Sequence, residues 1–138
     1  MLKKTVALAA LLATSFLGTG SAPAESYYTL SISAPTAKEN AKAVATVKVT
    51  SRGDTHINKK YPTRLTVSPP EGVAVIKARQ TASDAVKLND STLEFEVAFE
   101  AEEPGTKTIK GELRFATCKG EESCQQYTKR IKFDVDVE

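Results

Sequence analysis

The sequence of 138 residues contains no tryptophan, one histidine and two cysteines, and its only methionine is the first residue. An antibody-type domain needs a buried tryptophan beside two cysteines that lie far apart in the chain. Here Cys118 and Cys124 are separated by only five residues, so the sequence disfavours that class. A blue-copper centre needs two histidines together with a cysteine, and His56 alone cannot supply it.

Several catalytic classes lack the residues that their chemistry requires. A Ser-His-Asp hydrolase would have to use His56, but the sequence has no Gly-x-Ser-x-Gly elbow and no glycine-rich loop that could hold a phosphate. Cys118, Cys124, His56 and a carboxylate could be assembled into a zinc site on paper. An oxidising compartment favours a disulfide between the two cysteines instead. We therefore predict neither a metal nor a cofactor.

The beginning of the chain has the pattern of an export signal over residues 1–24. Lys3 and Lys4 precede an apolar run, residues 5–18, and small residues at 22–24 predict cleavage before Glu25. The run of about fourteen residues is too short to span a bilayer. We expect a periplasmic or secreted protein, residues 25–138, with no membrane anchor.

The charge balance changes when the signal is left out. The chain has 19 basic and 17 acidic residues; removal of Lys3 and Lys4 leaves 17 of each. A net charge near zero gives no support to nucleic-acid or membrane-surface binding by general attraction. The alternating acids Glu94, Glu96 and Glu100 are typical of the solvated face of a strand. We expect a monomer with one core.

Hydrophobic residues alternate with polar ones almost throughout residues 25–138. Leu93, Phe95, Val97 and Phe99 alternate with glutamates, and Pro/Gly turns separate similar runs. Further strands are predicted at residues 55–58 and 73–78, whereas residues 81–90 fit either a helical turn or an irregular strand. The pattern predicts an all-β fold, an immunoglobulin-like antiparallel β-sandwich of about seven or eight strands.

The alternation also predicts where the two cysteines lie. Core positions on both sides of the cysteine loop are odd-numbered: Ile109, Leu113 and Phe115 before it, and Tyr127, Ile131, Phe133 and Val135 after it. Cys118 and Cys124 are even-numbered, so both should lie on the face away from the core. They should face each other at the mouth of a hairpin whose tip is residues 119–123, close enough for a disulfide.

Two interpretations of this disulfide remain open from the residues alone. As a staple, a bridge over so short a loop would contribute about 2 to 2.5 kcal/mol. As an exchangeable bridge, it would react with a partner thiol at the surface. Lys119 favours a thiolate at Cys118, whereas Glu121 and Glu122 disfavour one.

The cysteine hairpin resembles that of a known redox family. The stretch 111–118, then Cys124 and the strand 127–137, is similar to the amino-terminal periplasmic domain of the thiol:disulfide interchange protein DsbD. The resemblance implies an immunoglobulin-like fold in which Cys118 and Cys124 are the redox pair, and exported thiol-redox proteins are the partners. Gln125 and Gln126 stand where that family often has a proline. Because the chain ends at Glu138, we expect a free-standing carrier.

The resemblance also implies an aromatic loop that shields the disulfide. Residues 56–62 are the candidate, with Tyr61 as the aromatic and Pro62 as the residue that makes the turn rigid. The alternative is that Tyr61 packs on a sheet edge and Pro62 only begins the next strand. The competing function is a non-catalytic immunoglobulin-like binding or structural module with a structural disulfide.

Overall fold

The computed structural model describes residues 27–138, so the predicted export signal and its cleavage point lie outside the described residues. The described chain forms ten strands and one short 3-10 helix, Ala82–Asp84. The strands are β1 Tyr28–Ser33, β2 Lys42–Ser51, β3 Thr55–Ile57, β4 Arg64–Ser68, β5 Val73–Val75, β6 Arg79–Thr81, β7 Lys87–Leu88, β8 Thr92–Ala101, β9 Gly105–Lys119 and β10 Ser123–Val137. Within this part of the chain, no helix is long and apolar enough to cross a membrane.

The strands form two antiparallel sheets. The first sheet has the order β1-β2-β8-β5, and β7 also pairs with β8; the second has the order β10-β9-β4-β6, and β3 also pairs with β9. The immunoglobulin arrangement places its A, B, E and D strands in one sheet and its C, F and G strands in the other. The order found here matches that arrangement, which confirms the predicted immunoglobulin-like β-sandwich.

The core lies between the two sheets and is built by the predicted alternation. In β8 the odd-numbered Leu93, Phe95, Val97 and Phe99 are completely buried or nearly so, because they point at the opposite sheet. The second sheet contributes Leu65, Ile109, Leu113 and Phe115 in the same way. Alternation therefore places the apolar side chains at every second position of these strands between the two sheets.

Two predicted segments divide into shorter strands. The predicted strand at residues 73–78 ends early, because β5 pairs with β8 in the first sheet while β6, just after it, pairs with β4 in the second. The undecided stretch 81–90 contains both the 3-10 helix and β7. The Asp84 carboxylate accepts the Thr81 N–H and so starts that helix. The strand count is higher than expected because the chain changes sheets here.

The last two strands form a long hairpin that positions the cysteines. All fifteen residues of β10 pair with β9 in one continuous register, without a bulge. β9 is an interior strand and β10 is an edge strand. The end of β10 is covered by Ala37, whose N–H donates to the Asp136 carbonyl and whose carbonyl accepts the Glu138 N–H.

Candidate functional site

The two cysteines are bonded to each other at the mouth of the β9–β10 hairpin. Cys118 and Cys124 are direct register partners, their Cα atoms lie 4.0 Å apart, and a turn of three residues, 120–122, follows the next pair. Gly120 begins that turn with φ of 67°, a conformation that a side chain would disfavour. The predicted disulfide and its place in the hairpin are confirmed.

The bridge lies on the outer face of the second sheet. Cys118 pairs with His56 of β3, and its neighbour Thr117 pairs with Ile57. Ile57 belongs to the hydrophobic core, so the adjacent pair, Cys118 and His56, faces the other way. Cys118 is buried but does not belong to the core cluster, as the parity of its position predicts.

The two cysteines differ sharply in exposure. Cys118 is only 4% exposed and lies on interior strand β9 between its two register partners, Cys124 of β10 and His56 of β3. Cys124 is exposed on edge strand β10. The backbone groups of Asp136 and Glu138 point toward Ala37, away from β9. Alternation along an unbroken ladder gives the same outward direction to the backbone N–H and C=O of Cys124.

A loop of six residues, 58–63, lies beside the bridge. Ile57 pairs with Thr117 and Arg64 pairs with Arg114. The six loop residues between Ile57 and Arg64 therefore lie opposite only two residues of β9, 115 and 116. The excess makes the loop project from the sheet between β3 and β4. The loop stays attached at its start, where the Asn58 N–H donates to the Ala116 carbonyl.

A shallow cleft of about 520 Å³ separates this loop from the disulfide. Asn58, Lys59 and Lys60 line one side, and Cys118, Cys124 and Glu121 line the other. Residues 56–60 of the candidate loop therefore lie beside the disulfide. Tyr61 is half-buried and Pro62 is exposed, and neither lines the cleft. A shielding role for Tyr61 and Pro62 stays a prediction.

An ion pair fixes the loop to the neighbouring β7–β8 turn. The Lys59 ammonium lies 2.9 Å from the Asp90 carboxylate, and the Asp90 carbonyl accepts the Ile57 N–H. The hydrogen bond from Lys59, then its positive charge, and to a lesser degree that of His56, hold the pKa of Asp90 below its ordinary value. Asp90 is thus a carboxylate at neutral pH and holds Lys59 beside the bridge.

The surroundings of the bridge combine two bonded cysteines with a loop that carries two lysines. Within residues 27–138, no group of three or more His, Cys, Asp or Glu side chains could hold a metal ion. Both cysteine sulfurs are committed to the disulfide. The arrangement consists of one exposed cysteine, one buried cysteine and a loop with two lysines next to both.

Comparisons with known proteins found solved structures that are similar at low sequence identity. No family model and no curated protein matches this sequence. Among solved structures, 88% of this chain aligns with 95% of the ASH/PapD-like domain of human CEP192 (PapD-like domain 7), at 9% identity and a TM-score of 0.45. The bacterial hydrophobin BslA aligns with 82% of the chain over 96% of its own length, at 10% identity and a TM-score of 0.34.

Proposed function

We propose that this chain is an exported thiol–disulfide exchange protein that reacts through Cys118 and Cys124. The observation that carries the proposal is the unequal exposure of the two sulfur-bearing residues. Cys124 lies exposed on an open sheet edge, and Cys118 is 4% exposed behind it. Exchange needs one sulfur that a partner thiolate can approach, and a second that leaves when the bond breaks.

The reaction begins with attack by a partner's thiolate on the sulfur of Cys124. A mixed disulfide forms between the partner and Cys124, the Cys118–Cys124 bond breaks, and Cys118 leaves as a thiolate. The partner's second thiolate then attacks the partner's own bonded sulfur and releases Cys124. Two electrons pass from the partner dithiol to this chain, whose two thiolates take protons from water. The reverse sequence returns the electrons to an oxidised partner.

The residues around Cys118 carry charges of both signs. Lys59 and Lys60 line the cleft beside it, and nearby cations stabilise a thiolate relative to a thiol, which makes Cys118 a better leaving group. Glu121 and Asp90, the ion-pair partner of Lys59, line the same cleft and act in the opposite direction.

The similarity to the DsbD amino-terminal domain supports the same assignment, because that family uses a cysteine pair on a corresponding hairpin. Partners would be other thiol-redox proteins in the periplasm or outside the cell. A bonded cysteine pair is typical of such oxidising compartments.

The competing function is a binding or structural module in which the bridge is a staple. One observation favours it: residues 123–126 of β10 are all exposed, so little besides the ladder and the bridge holds this strand end. The two functions differ in whether the folded protein reacts.

The test is reduction of the folded protein by glutathione over a series of low urea concentrations. The adducts are quenched with acid and mapped by mass spectrometry. We expect glutathione on Cys124 rather than Cys118, at a rate that does not rise with urea below the unfolding transition. A rate that follows the unfolding equilibrium would show that the bridge reacts only after global unfolding, which would overturn the exchange proposal in favour of the staple.

A further inference from the structure

Six cations cluster on the outer face of the second sheet, away from the disulfide. They come from all four strands of its main path and surround a shallow cleft of about 790 Å³. All six are exposed. We call this surface the basic face; its residues are Arg64, Arg79, Lys110, Arg114, Arg130 and Lys132.

The register places cations directly against each other within this face. Arg64 of β4 pairs with Arg114 of β9, and Lys110 of β9 pairs with Lys132 of β10. Side chains at opposed positions have Cβ atoms about 4.5 to 5.5 Å apart, and like charges there destabilise a sheet. The strand register therefore places two pairs of repelling cations on one face of the sheet.

Few acidic groups relieve this repulsion. Among residues 27–138, the three ion pairs with N···O distances of 4.0 Å or less involve none of the six cations. Glu112 lies at the centre of the face, opposite Arg130. Asp134, beyond Lys132, accepts a hydrogen bond from the Thr108 hydroxyl. Six cations and two carboxylates leave a clear positive excess.

The outer face of the first sheet is arranged in the opposite way. There Lys42 is the register partner of Glu100, and Lys48 is the register partner of Glu94. The overall balance of basic and acidic residues thus hides a difference between the two faces. The first sheet places opposite charges across from each other, whereas the second has two like-charge pairs and a single opposite-charge pair, Arg130 with Glu112.

Protection of a sheet edge does not account for the basic face. Cations on edge strands discourage pairing with other chains, and Arg130 and Lys132 on β10 could act in this way. Arg64, Lys110 and Arg114 lie on the interior strands β4 and β9, where no edge needs protection.

We propose that the basic face binds a soluble polyanion that carries several phosphate groups. Each like-charge pair can hold one phosphate between two cations, and the arginines can bind phosphate oxygens in a bidentate manner. Lys110 and Arg114 are four residues apart on β9, which is about 14 Å at 3.4 Å per residue. A ligand whose phosphates extend over that distance would occupy both pairs and turn repulsion into attraction.

The chemistry of the face favours a soluble polyanion over a bilayer or a nucleic acid. The exposed large hydrophobic residues of the described chain are Tyr27, Val44, Ile76 and Val86, and none lines this cleft. Ile131, the one large apolar residue of the lining, is only 5% exposed. The face thus offers no exposed apolar side chain to enter a bilayer, and no aromatic ring on which a base of a single strand could stack.

The test measures binding of linear polyphosphate by calorimetry at low ionic strength, with two matched variants. One variant combines Arg64→Gln, Arg114→Gln and Lys132→Gln on the basic face. The control combines Lys42→Gln, Lys48→Gln and Lys87→Gln on the first sheet, so both variants have three fewer positive charges. We expect at least about tenfold weaker binding for the first variant alone, with a salt slope lower by about one for each phosphate that the variant no longer neutralises.

Thermal unfolding provides a second readout and shows that each variant is folded. Polyphosphate should raise the unfolding midpoint of the wild-type protein and of the control by similar amounts, and that of the basic-face variant by less. Absence of binding, or equal weakening of both variants, would overturn the proposal. Tighter binding to anionic phospholipid vesicles or to duplex DNA than to polyphosphate would show that the ligand class is wrong.

Discussion

The two ends of the β9–β10 hairpin are secured by different means, although one unbroken ladder joins them. At the Gly105–Val137 end, Ile109, Phe133, Val135 and Val137 are buried in the core. Ala37 adds two backbone hydrogen bonds at the outer edge of this end. At the cysteine end, residues 123–126 of β10 are all exposed, and a disulfide joins this strand end to β9.

This difference indicates that the bridge is separable from the core. Burial of apolar side chains stabilises the whole domain because both sheets contribute to it. The disulfide, in contrast, joins two residues only six positions apart on the outer face. Breaking it should loosen one strand end and leave the sandwich intact, as repeated exchange requires.

The largest expected effect comes from the packed end. Ile109→Ala removes a completely buried side chain, and the reduced burial together with the resulting cavity should lower the free energy of unfolding by about 3 kcal/mol. Urea denaturation followed by circular dichroism measures it. A decrease smaller than that caused by removal of the disulfide would contradict the contrast between the two ends.

Removal of the bridge should have a smaller and more local effect. The double variant Cys118→Ala, Cys124→Ala should lower the free energy of unfolding by about 2 to 2.5 kcal/mol, through the entropy of a short closed loop. Hydrogen exchange should speed up in residues 119–126, whereas the amides of β8 stay protected. Loss of protection in β8 would show that the bridge supports the whole sandwich.

A substitution of Gly111, between the two ends of the hairpin, should lower the free energy of unfolding by less than removal of the bridge. A Cβ atom on Gly111 would lie 2.7 Å from the Thr66 carbonyl oxygen and 3.3 Å from Cγ1 of Ile131. Gly111→Ala must therefore push β4 away from β9, at a cost of about 1 to 2 kcal/mol, measurable by urea denaturation. Gly111→Val should cost more. A neutral result for both would mean that β4 moves freely at this point.

The smallest effect on stability should come from the ion pair beside the bridge. Asp90→Asn leaves Lys59 without its carboxylate, and exposed pairs contribute little to stability. Hydrogen exchange of residues 58–60 should nevertheless become faster. Asp54→Asn, which removes the pair with Lys119 on the other side of the hairpin, is the control.

Acid should reproduce the effect of Asp90→Asn in the wild-type protein. The pKa of Asp90 lies below its ordinary value of 3.8, so its contribution is present above that pH and is lost as the pH falls through the folded-state pKa. Loop exchange in the wild-type protein should approach that of the variant over this acidic range, after correction for intrinsic rates. A wild-type loop unaffected by acid would contradict the role of Asp90.

Much of the fold could be predicted from the sequence because apolar and polar residues alternate with a period of two. Leu93, Phe95, Val97 and Phe99 show it plainly, and the parity of Cys118 and Cys124 correctly predicted their outer face. The division between β5 and β6 could not be predicted, because a change of sheet leaves no mark in a run of three residues. The basic face could not be predicted either, because it depends on the pairing register of strands that are distant in sequence. Composition and net charge do not determine that register.

The surroundings of the bridge were also only partly predictable. In the sequence, residues 58–63 are only a polar stretch. The structure shows that β3 and β4 both pair with β9, so this loop interrupts the pairing along one side of β9. The burial of Cys118 depends on its register partners Cys124 and His56, which only the strand pairing brings to its sides. No local sequence pattern distinguishes it from the exposed Cys124.

The reduction potential of the Cys118–Cys124 bridge tests the central claim most directly. The protein, folded throughout, is equilibrated in buffers of defined thiol and disulfide ratio, and the oxidised fraction is measured after acid quenching. We predict a potential above about −250 mV, in the range of exchangeable disulfides. A potential below about −300 mV is typical of structural disulfides and would contradict the exchange function.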